Sequence, residues 1–401
     1  MSNVERKNRF KKVRDCKLLF IFISGKKWYN TTMQIVRVDK TLIKKFVEFP
    51  DLLYRGDDNY VPYMKTDLSK TLKRLVLKEK RYTALLATEG EKVLARVLFT
   101  VDKNKQLHTE KCCFFSMFEC VDDVAVCKAL FDELRRLAAQ AGAEYVSGTY
   151  FPFDQDNRRG ILCYGFERPP LIFTSYNKPY YDKLLTCCGL QKQTDAYEYE
   201  IDVNGVDDDR LANVAKFSMK KYDYRIDTVD WNNLERDISD VHKVMQEATN
   251  EIIFQDAPTI ENLRSIVTQW KAYLNKDFIL IARSNKDNSP LGIAMALPDF
   301  FQVFRKMRGK TDLKGILAFF SERRKIRSYR AIMQYVVPKY QNKGTIVALY
   351  NKMNQNAKRY GVTYMEAGTI MENNVQSNSS IVALGGKLAR VYRIYFGKLE
   401  K

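Results

Sequence analysis

Residues 331–361 constrain what this chain can fold into more than any other part of it. They open on Ala331-Ile-Met-Gln-Tyr-Val-Val337, an apolar run of strand type that Pro338 closes. They end on a run from Thr345 to Tyr360 in which Ile346, Leu349, Tyr350, Met353 and Ala357 recur at helical spacing. Between the two lies a polar turn, Gln341-Asn-Lys-Gly344, with its glycine just where the helix begins. A helix that starts this way leaves its first backbone N–H groups without acceptors and turns the positive end of its dipole toward the turn. The pattern predicts an anion site suited to a phosphate or pyrophosphate.

Neither G-x-G-x-x-G after a strand nor G-x-x-x-x-G-K-[ST] occurs, so the usual dinucleotide and P-loop sites are excluded. Gln341-x-x-Gly344 after Val336-Val-Pro338 instead resembles the coenzyme A loop of the GNAT superfamily of acyl-CoA-dependent N-acyltransferases. That loop follows Gln/Arg-x-x-Gly-x-Gly/Ala, and Ile346 departs from it at the last position. Downstream, Gly361 stops the helix, 364–368 reads as a strand, Glu372-Asn-Asn374 as a turn, a short helix runs to Gly385-Gly386, and 390–399 closes as a strand. This order is similar to the C-terminal half of a GNAT fold. The resemblance implies that Val336, Val337, Gln341, Asn342, Lys343, Gly344, Thr345 and Ile346 hold acetyl-CoA or a longer acyl-CoA. It also implies an acyl-pantetheine arm lying between splayed parallel strands, fixed by the Asn374 amide.

Sixty-seven Lys and Arg against 48 Asp and Glu give a net charge of +19, unevenly spread. Residues 1–32 hold nine basic and two acidic side chains, and 301–330 hold ten and two, or +7 and +8. Such patches suit an anionic lipid, a nucleic acid or a polyanionic cofactor. Eight cysteines form no C-x-x-C pair and there are only two histidines, so no metal site is expected and the thiols read as reduced and buried. No apolar run reaches the ~18–20 residues of a membrane span. Residues 1–32 read as a disordered basic extension, with Met33 a candidate start. The expected location is cytoplasmic, with peripheral contact at the inner membrane face.

From residue 33 the chain reads as α/β, two GNAT-like units in tandem over 33–203 and 210–401, each a mixed, mostly antiparallel sheet flanked by helices. In the first, 34–38 is a strand, 40–49 a helix ended by Pro50, 82–88 and 93–101 a strand pair, and 112–118 a third strand. A helix over 122–141, a strand at 144–148 and a long aromatic loop over 150–170 follow. Ala141-Gly-Ala-Glu-Tyr145-Val-Ser-Gly148 repeats the rhythm of Tyr360-Gly-Val-Thr-Tyr364-Met-Glu-Ala-Gly368. After Phe118, however, Glu119-Cys-Val-Asp122-Asp123 is acidic and glycine-free, which would repel a pyrophosphate. The first unit is therefore expected to bind no coenzyme A.

Phe49-Pro-Asp-Leu-Leu-Tyr54, Asn59-Tyr-Val-Pro62, Phe115-Ser-Met-Phe-Glu119, Gly160-Ile-Leu-Cys-Tyr-Gly165-Phe166 and Tyr176-Asn-Lys-Pro-Tyr-Tyr181 resemble a family of bacterial tandem GNAT-like proteins. That family's Gly-Pro-x-Asn-Phe-Ser-x-Asn-Asp segment is altered here to Gly148-Thr-Tyr-Phe-Pro-Phe-Asp-Gln-Asp156-Asn157. Bacterial ceramide synthases look similar to this group, which makes the amine of a long-chain base a concrete acceptor.

Acyl transfer from a thioester to an amine needs a base for the amine, donors for the carbonyl oxygen and a proton for the leaving thiolate. Glu366, on the strand beside the phosphate-loop strand, is the first candidate base and Glu372 the second. Tyr350, Tyr392 and Tyr395 are candidate acids, and backbone N–H groups near Val336 and Val337 candidate oxyanion donors. Within 301–330, Leu313, Ile316, Leu317, Phe320 and Ile326 line one helical face beside Lys314, Arg323, Arg324, Lys325 and Arg327. That face is read as packed in the core, with lying on an anionic bilayer, or pairing Arg324 or Lys325 with the cofactor's 3′-phosphate, as the other uses. Two other functions compete with acyl-CoA transfer: a Fem-like aminoacyl-tRNA-dependent transferase, and a non-catalytic protein that keeps the fold. No aromatic–basic RNA patch stands out, so nucleic acid is not the expected partner.

Overall fold

The computed structural model describes residues 32–103, 111–149, 158–249, 258–271, 274–310 and 312–399. Nearly all of the basic extension, most of the altered loop at 148–157 and the tract 250–257 lie outside them. Among the described residues thirteen strands form one sheet. The first half supplies β1 (Gln34–Arg37), β2 (Thr83–Glu89), β3 (Lys92–Lys103), β4 (Lys111–Cys120), β5 (Tyr145–Gly148), β6 (Ile161–Tyr164) and β7 (Gln191–Asp202). The second supplies β8 (Tyr224–Thr228), β9 (Ile279–Ser284), β10 (Pro290–Pro298), β11 (Ser328–Val336), β12 (Tyr364–Met371) and β13 (Lys387–Lys398).

The strand order is β1-β2-β3-β4-β5-β13-β7-β12-β11-β10-β9-β8, with β6 on β13. Each half thus lends its last strand to the other. β13 enters beside β5 (Tyr395↔Gly148), β7 enters beside β12 (Glu366↔Glu200), and the two pair antiparallel at the centre (Arg390↔Glu198). Met33–Lys401 forms one compact unit as a result. The repeat shows in the parallel pairs. β4 and β5 share four rungs, Cys112↔Tyr145 to Phe115↔Gly148, and β11 and β12 share four, Ser328↔Tyr364 to Ala331↔Ala367.

Two local expectations are corrected. The first helix runs Ile43–Leu53, through Pro50 rather than ending before it. Proline lacks the N–H that the Phe46 carbonyl would accept. The buried Arg96 guanidinium supplies that donor, 2.7 Å from the Phe46 oxygen, and holds the helix together. The expected loop over 150–170 contains β6, whose backbone is organised by Asn177: its side chain accepts from the Leu162 N–H at 2.7 Å and donates to the Leu162 carbonyl at 3.1 Å.

Asp299, buried after β10, ties a first-half loop to the second half. It accepts from the N–H of Ile172 at 3.0 Å, from the N–H of Phe301 at 3.2 Å and from the Gln302 amide at 3.0 Å. Burial outweighs these bonds and pushes its carboxyl up to about 6. The folded state therefore holds this proton more tightly than the unfolded chain does. Its contribution to stability is complete below the unfolded value near 3.8 and is lost as pH rises through about 6. Asp299→Asn, with no such proton to release, should gain on the parent by about 3 kcal/mol between about pH 4 and pH 7. Urea unfolding of both proteins across that window measures it.

Candidate functional site

The helix Thr345–Arg359 packs Ala348, Leu349, Met353 and Ala357 against the sheet beside Tyr329 and Met365, which fixes where its N-terminus points. Gly344 is its N-cap, at φ 72°, and no side chain caps the helix. A Cβ there would lie 2.7 Å from the Cβ of Ser218, on the neighbouring helix Asp208–Tyr222, so conformation and space both demand glycine. Three bonds shape the turn. The Gln341 amide donates to the Val336 carbonyl at 3.2 Å, the Thr345 hydroxyl to the Tyr340 carbonyl at 3.2 Å, and the Gln376 amide to the Asn342 side chain at 2.9 Å.

Beyond Ala331↔Ala367 the pairing of β11 and β12 ends while both strands continue. The gap is a cavity of about 530 Å³. Val336, Gln341, Asn342, Gly344, Thr345, Ile346, Tyr350 and Asn374 all line it, so the structure brings together most of the residues singled out for a cofactor. Val337 and Lys343 are not among the lining residues. Val337 donates its N–H to the Leu291 carbonyl of β10 at 3.0 Å, and the Lys343 ammonium lies 4.8 Å over the Tyr340 ring. Alternation along the strand then turns the Val336 N–H away from β10, toward the gap. Asn374 accepts from the Ser377 N–H at 3.1 Å and caps the helix Val375–Ala383. Tyr350 donates to the Gln334 side chain across the cavity, and burial raises its phenol well above the usual value.

The candidate carboxylates lie elsewhere. Glu366 lines a second cavity, not this one, and is fully buried. Arg390 donates to one of its oxygens and the Tyr364 hydroxyl to the other. Burial, then the nearby charge of Glu198, raise its pKa against the pull of Arg390. Glu198 in turn accepts from Arg330 at 2.8 Å and from the Tyr392 hydroxyl at 3.1 Å. Arg390, Glu198, Glu366 and Arg330 thus form one buried charged row across the four central strands β13, β7, β12 and β11. Glu372 accepts from Lys192 at 2.7 Å and from the Asp195 N–H at 3.1 Å. Burial alone would raise its carboxyl, but these partners outweigh it and hold the pKa low. Tyr395 donates to Asp182 on the first-half side of β13. None of Glu366, Glu372, Tyr392 and Tyr395 reaches the gap between β11 and β12.

Sequence reasoning missed Arg159. Buried, it comes from the first half to line the gap, donating to the Thr369 hydroxyl at 2.9 Å and the Thr369 carbonyl at 3.3 Å. An Arg-Arg-Gly tract before a short strand carries no local sign of such a reach.

The matching place in the first half is packed shut. Asp123 accepts from the N–H groups of Ala125 and Val126 and so caps the helix Val124–Gln140 with its own carboxylate. Beyond the last β4–β5 rung, Phe118 lies against Phe131 and Tyr181, and buried Glu119 accepts from Tyr54 at 2.7 Å and Tyr181 at 2.8 Å.

No family model matches this chain. It is 22% identical over 371 residues to the protein YghO of Escherichia coli (strain K12), covering 89% of this chain and 93% of that one. It is 20% identical over 367 residues to the bacterial ceramide synthase of Caulobacter vibrioides (strain NA1000 / CB15N), covering 88% and 94%. Among solved structures, a tandem GNAT protein from the clavulanic acid biosynthesis pathway matches with a TM-score of 0.54 at 10% identity, over 92% of this chain and 99% of that one. The GCN5-related glucosamine N-acetyltransferase region of a fungal multi-domain GH3 β-N-acetylglucosaminidase gives 0.54 at 12%, over 92% of this chain and 38% of that protein. The fold is that of tandem GNAT proteins.

Proposed function

We propose that this chain is an N-acyltransferase that moves an acyl group from a coenzyme A thioester to a primary amine, and that the amine belongs to a long-chain, sphinganine-type lipid met at a membrane surface. One observation carries the reading: an uncapped helix N-terminus, at a glycine whose conformation and close neighbour both disfavour a side chain, opens into the gap where two parallel strands part. The backbone N–H groups of 344–346 would hold the diphosphate, with Gln341 and Asn342 shaping the turn around it. The Val336 N–H would meet the thioester carbonyl and take up its developing negative charge. Tyr350 is the one candidate acid in the gap, and it would protonate the departing thiolate. The lipid acceptor is supported by likeness to the bacterial ceramide synthase of Caulobacter vibrioides, whose name carries that chemistry.

The experiment is thiol release from acyl-CoAs of increasing length with a panel of amines, beside calorimetry with coenzyme A alone. Micromolar binding and amine-dependent thiol release support the reading, and their absence across the panel overturns it. Tyr350→Phe should leave the affinity for acyl-CoA within a few-fold and lower kcat by about 10²-fold or more, the usual share of a positioned acid. An unchanged kcat would remove the tyrosine from the mechanism.

A further inference from the structure

The helix Leu313–Glu322 carries Leu313, Ile316, Leu317 and Phe320 at helical spacing, and all four stand in solvent, 73%, 44%, 61% and 55% exposed. Of the face expected to pack in the core only Ile326, beyond the helix, does so; for the other four the expectation is overturned. A different side of the helix does pack, through Ala318 and Phe319, with Phe319 stacked on Phe300 at 6.1 Å. The helix is therefore anchored to the body while it turns a second apolar stripe outward. Large apolar side chains contiguous on a surface mark a contact with something that removes them from water.

The surroundings say what that is. Arg308, Lys310, Lys314, Arg324 and Arg327 are exposed in the segment that carries the stripe, which holds ten basic and two acidic residues, 10 − 2 = +8. Neither acid opposes them: Glu322 is bonded to Lys306 and Lys325, and Asp312 caps its own helix at the Gly315 N–H. Arg323 lies 4.8 Å over the Phe320 ring, its charge at the edge of the stripe. Apolar side chains flanked by charge of a single sign complement the boundary between acyl chains and anionic headgroups. The helix has ten residues, and no described helix is long and apolar enough to cross a membrane, so a bilayer would meet this one along its side.

We propose that Leu313–Glu322 is a docking helix that seats this chain on an anionic phospholipid bilayer. Docking brings headgroups beside a cavity of about 430 Å³ that Arg305, Lys325 and Arg327 line together with Glu366. Arg305 and Arg327 donate there to the backbone carbonyls of Asp58 and of Arg324 and Ile326, bonds that leave their charge available to a headgroup phosphate. The proposal goes beyond the acyl-transfer reading and is tested apart from it.

The test is co-sedimentation of the full chain with phosphatidylcholine vesicles, with and without about a third phosphatidylglycerol, at low and at physiological salt. The parent should bind the anionic vesicles and release as salt rises. The triple variant Leu313→Ser, Leu317→Ser, Phe320→Ser, whose side chains leave no cavity because they are exposed, should lose at least about tenfold in partitioning. Its thiol release with a water-soluble amine should stay unchanged, so vesicle binding and chemistry are read separately. Absent binding to anionic vesicles, or equal binding by the triple variant, overturns the proposal. So does sedimentation velocity showing that the stripe holds two copies together and that the variant parts them.

Discussion

Gly344→Glu should abolish acyl-CoA binding, lowering affinity at least about 100-fold, or about 2.7 kcal/mol. Two effects act together. The new Cβ collides with Ser218 at 2.7 Å, and the backbone at φ 72° is one that side-chain-bearing residues adopt at a cost. The loop must then move, and its N–H groups no longer converge. Where it does not move far, a carboxylate stands at the positive end of the helix, in the place of the anion meant to sit there. Gly344→Ala separates the two, because it keeps the collision and the strain without the charge. It should be destabilised by about 1–3 kcal/mol and bind acyl-CoA only about tenfold more weakly. Calorimetry reads the affinity, and far-ultraviolet circular dichroism with thermal melting shows whether each variant is folded. A folded glutamate variant that binds within a few-fold of the parent would mean that the diphosphate lies elsewhere, and the functional reading would go with it.

The second large effect belongs to the buried charged row across the central strands. Glu366→Met should destabilise the protein by about 3–5 kcal/mol, because Arg390 is then left buried without its counter-charge. Arg390→Met should cost about as much for the converse reason. The pair replaced together should recover most of the loss, since two apolar side chains of similar length remove both ions at once. Urea unfolding of the two single variants and the double variant gives the coupling. The same proteins ask whether Glu366 is the base. If the double variant folds and still releases thiol at the parental rate, Glu366 has a purely structural part. If it folds and is inactive while acyl-CoA binding persists, proton transfer runs through Glu366 and the second cavity after all.

How far the sequence reached follows from how local each signal is. The loop at 341–346 was legible because strand, proline, glycine and helix stand within about two turns of one another, and each leaves its own mark. The duplication was legible for the same reason, as a rhythm of helix end, glycine and strand heard twice. Glu366 was singled out because its strand lies beside the phosphate-loop strand, and adjacency of strands does not tell whether a side chain is exposed. The Glu366 side chain is covered, and its partner Arg390 comes from the next strand in the chain but two places away in the sheet. Arg159 is worse still, since Thr369 lies 210 residues away in sequence. Pro50 misled because the group that rescues the helix, Arg96, sits on another element. The stripe on Leu313–Glu322 was found by its spacing, but spacing cannot tell which of two apolar faces the body will cover.

The reciprocal loan of β7 and β13 makes the duplicated halves mutually dependent. A gene cut near residue 205 would yield a front piece lacking the ribbon that belongs beside β5, and a rear piece lacking the one that belongs beside β12. Each fragment would expose unpaired strand edges and would be driven to find the other, or to tangle with its own kind. The groove in the rear half therefore cannot be transplanted or engineered by itself, because the front half supplies both the strand beside β12 and, in Arg159, one of the residues that line it.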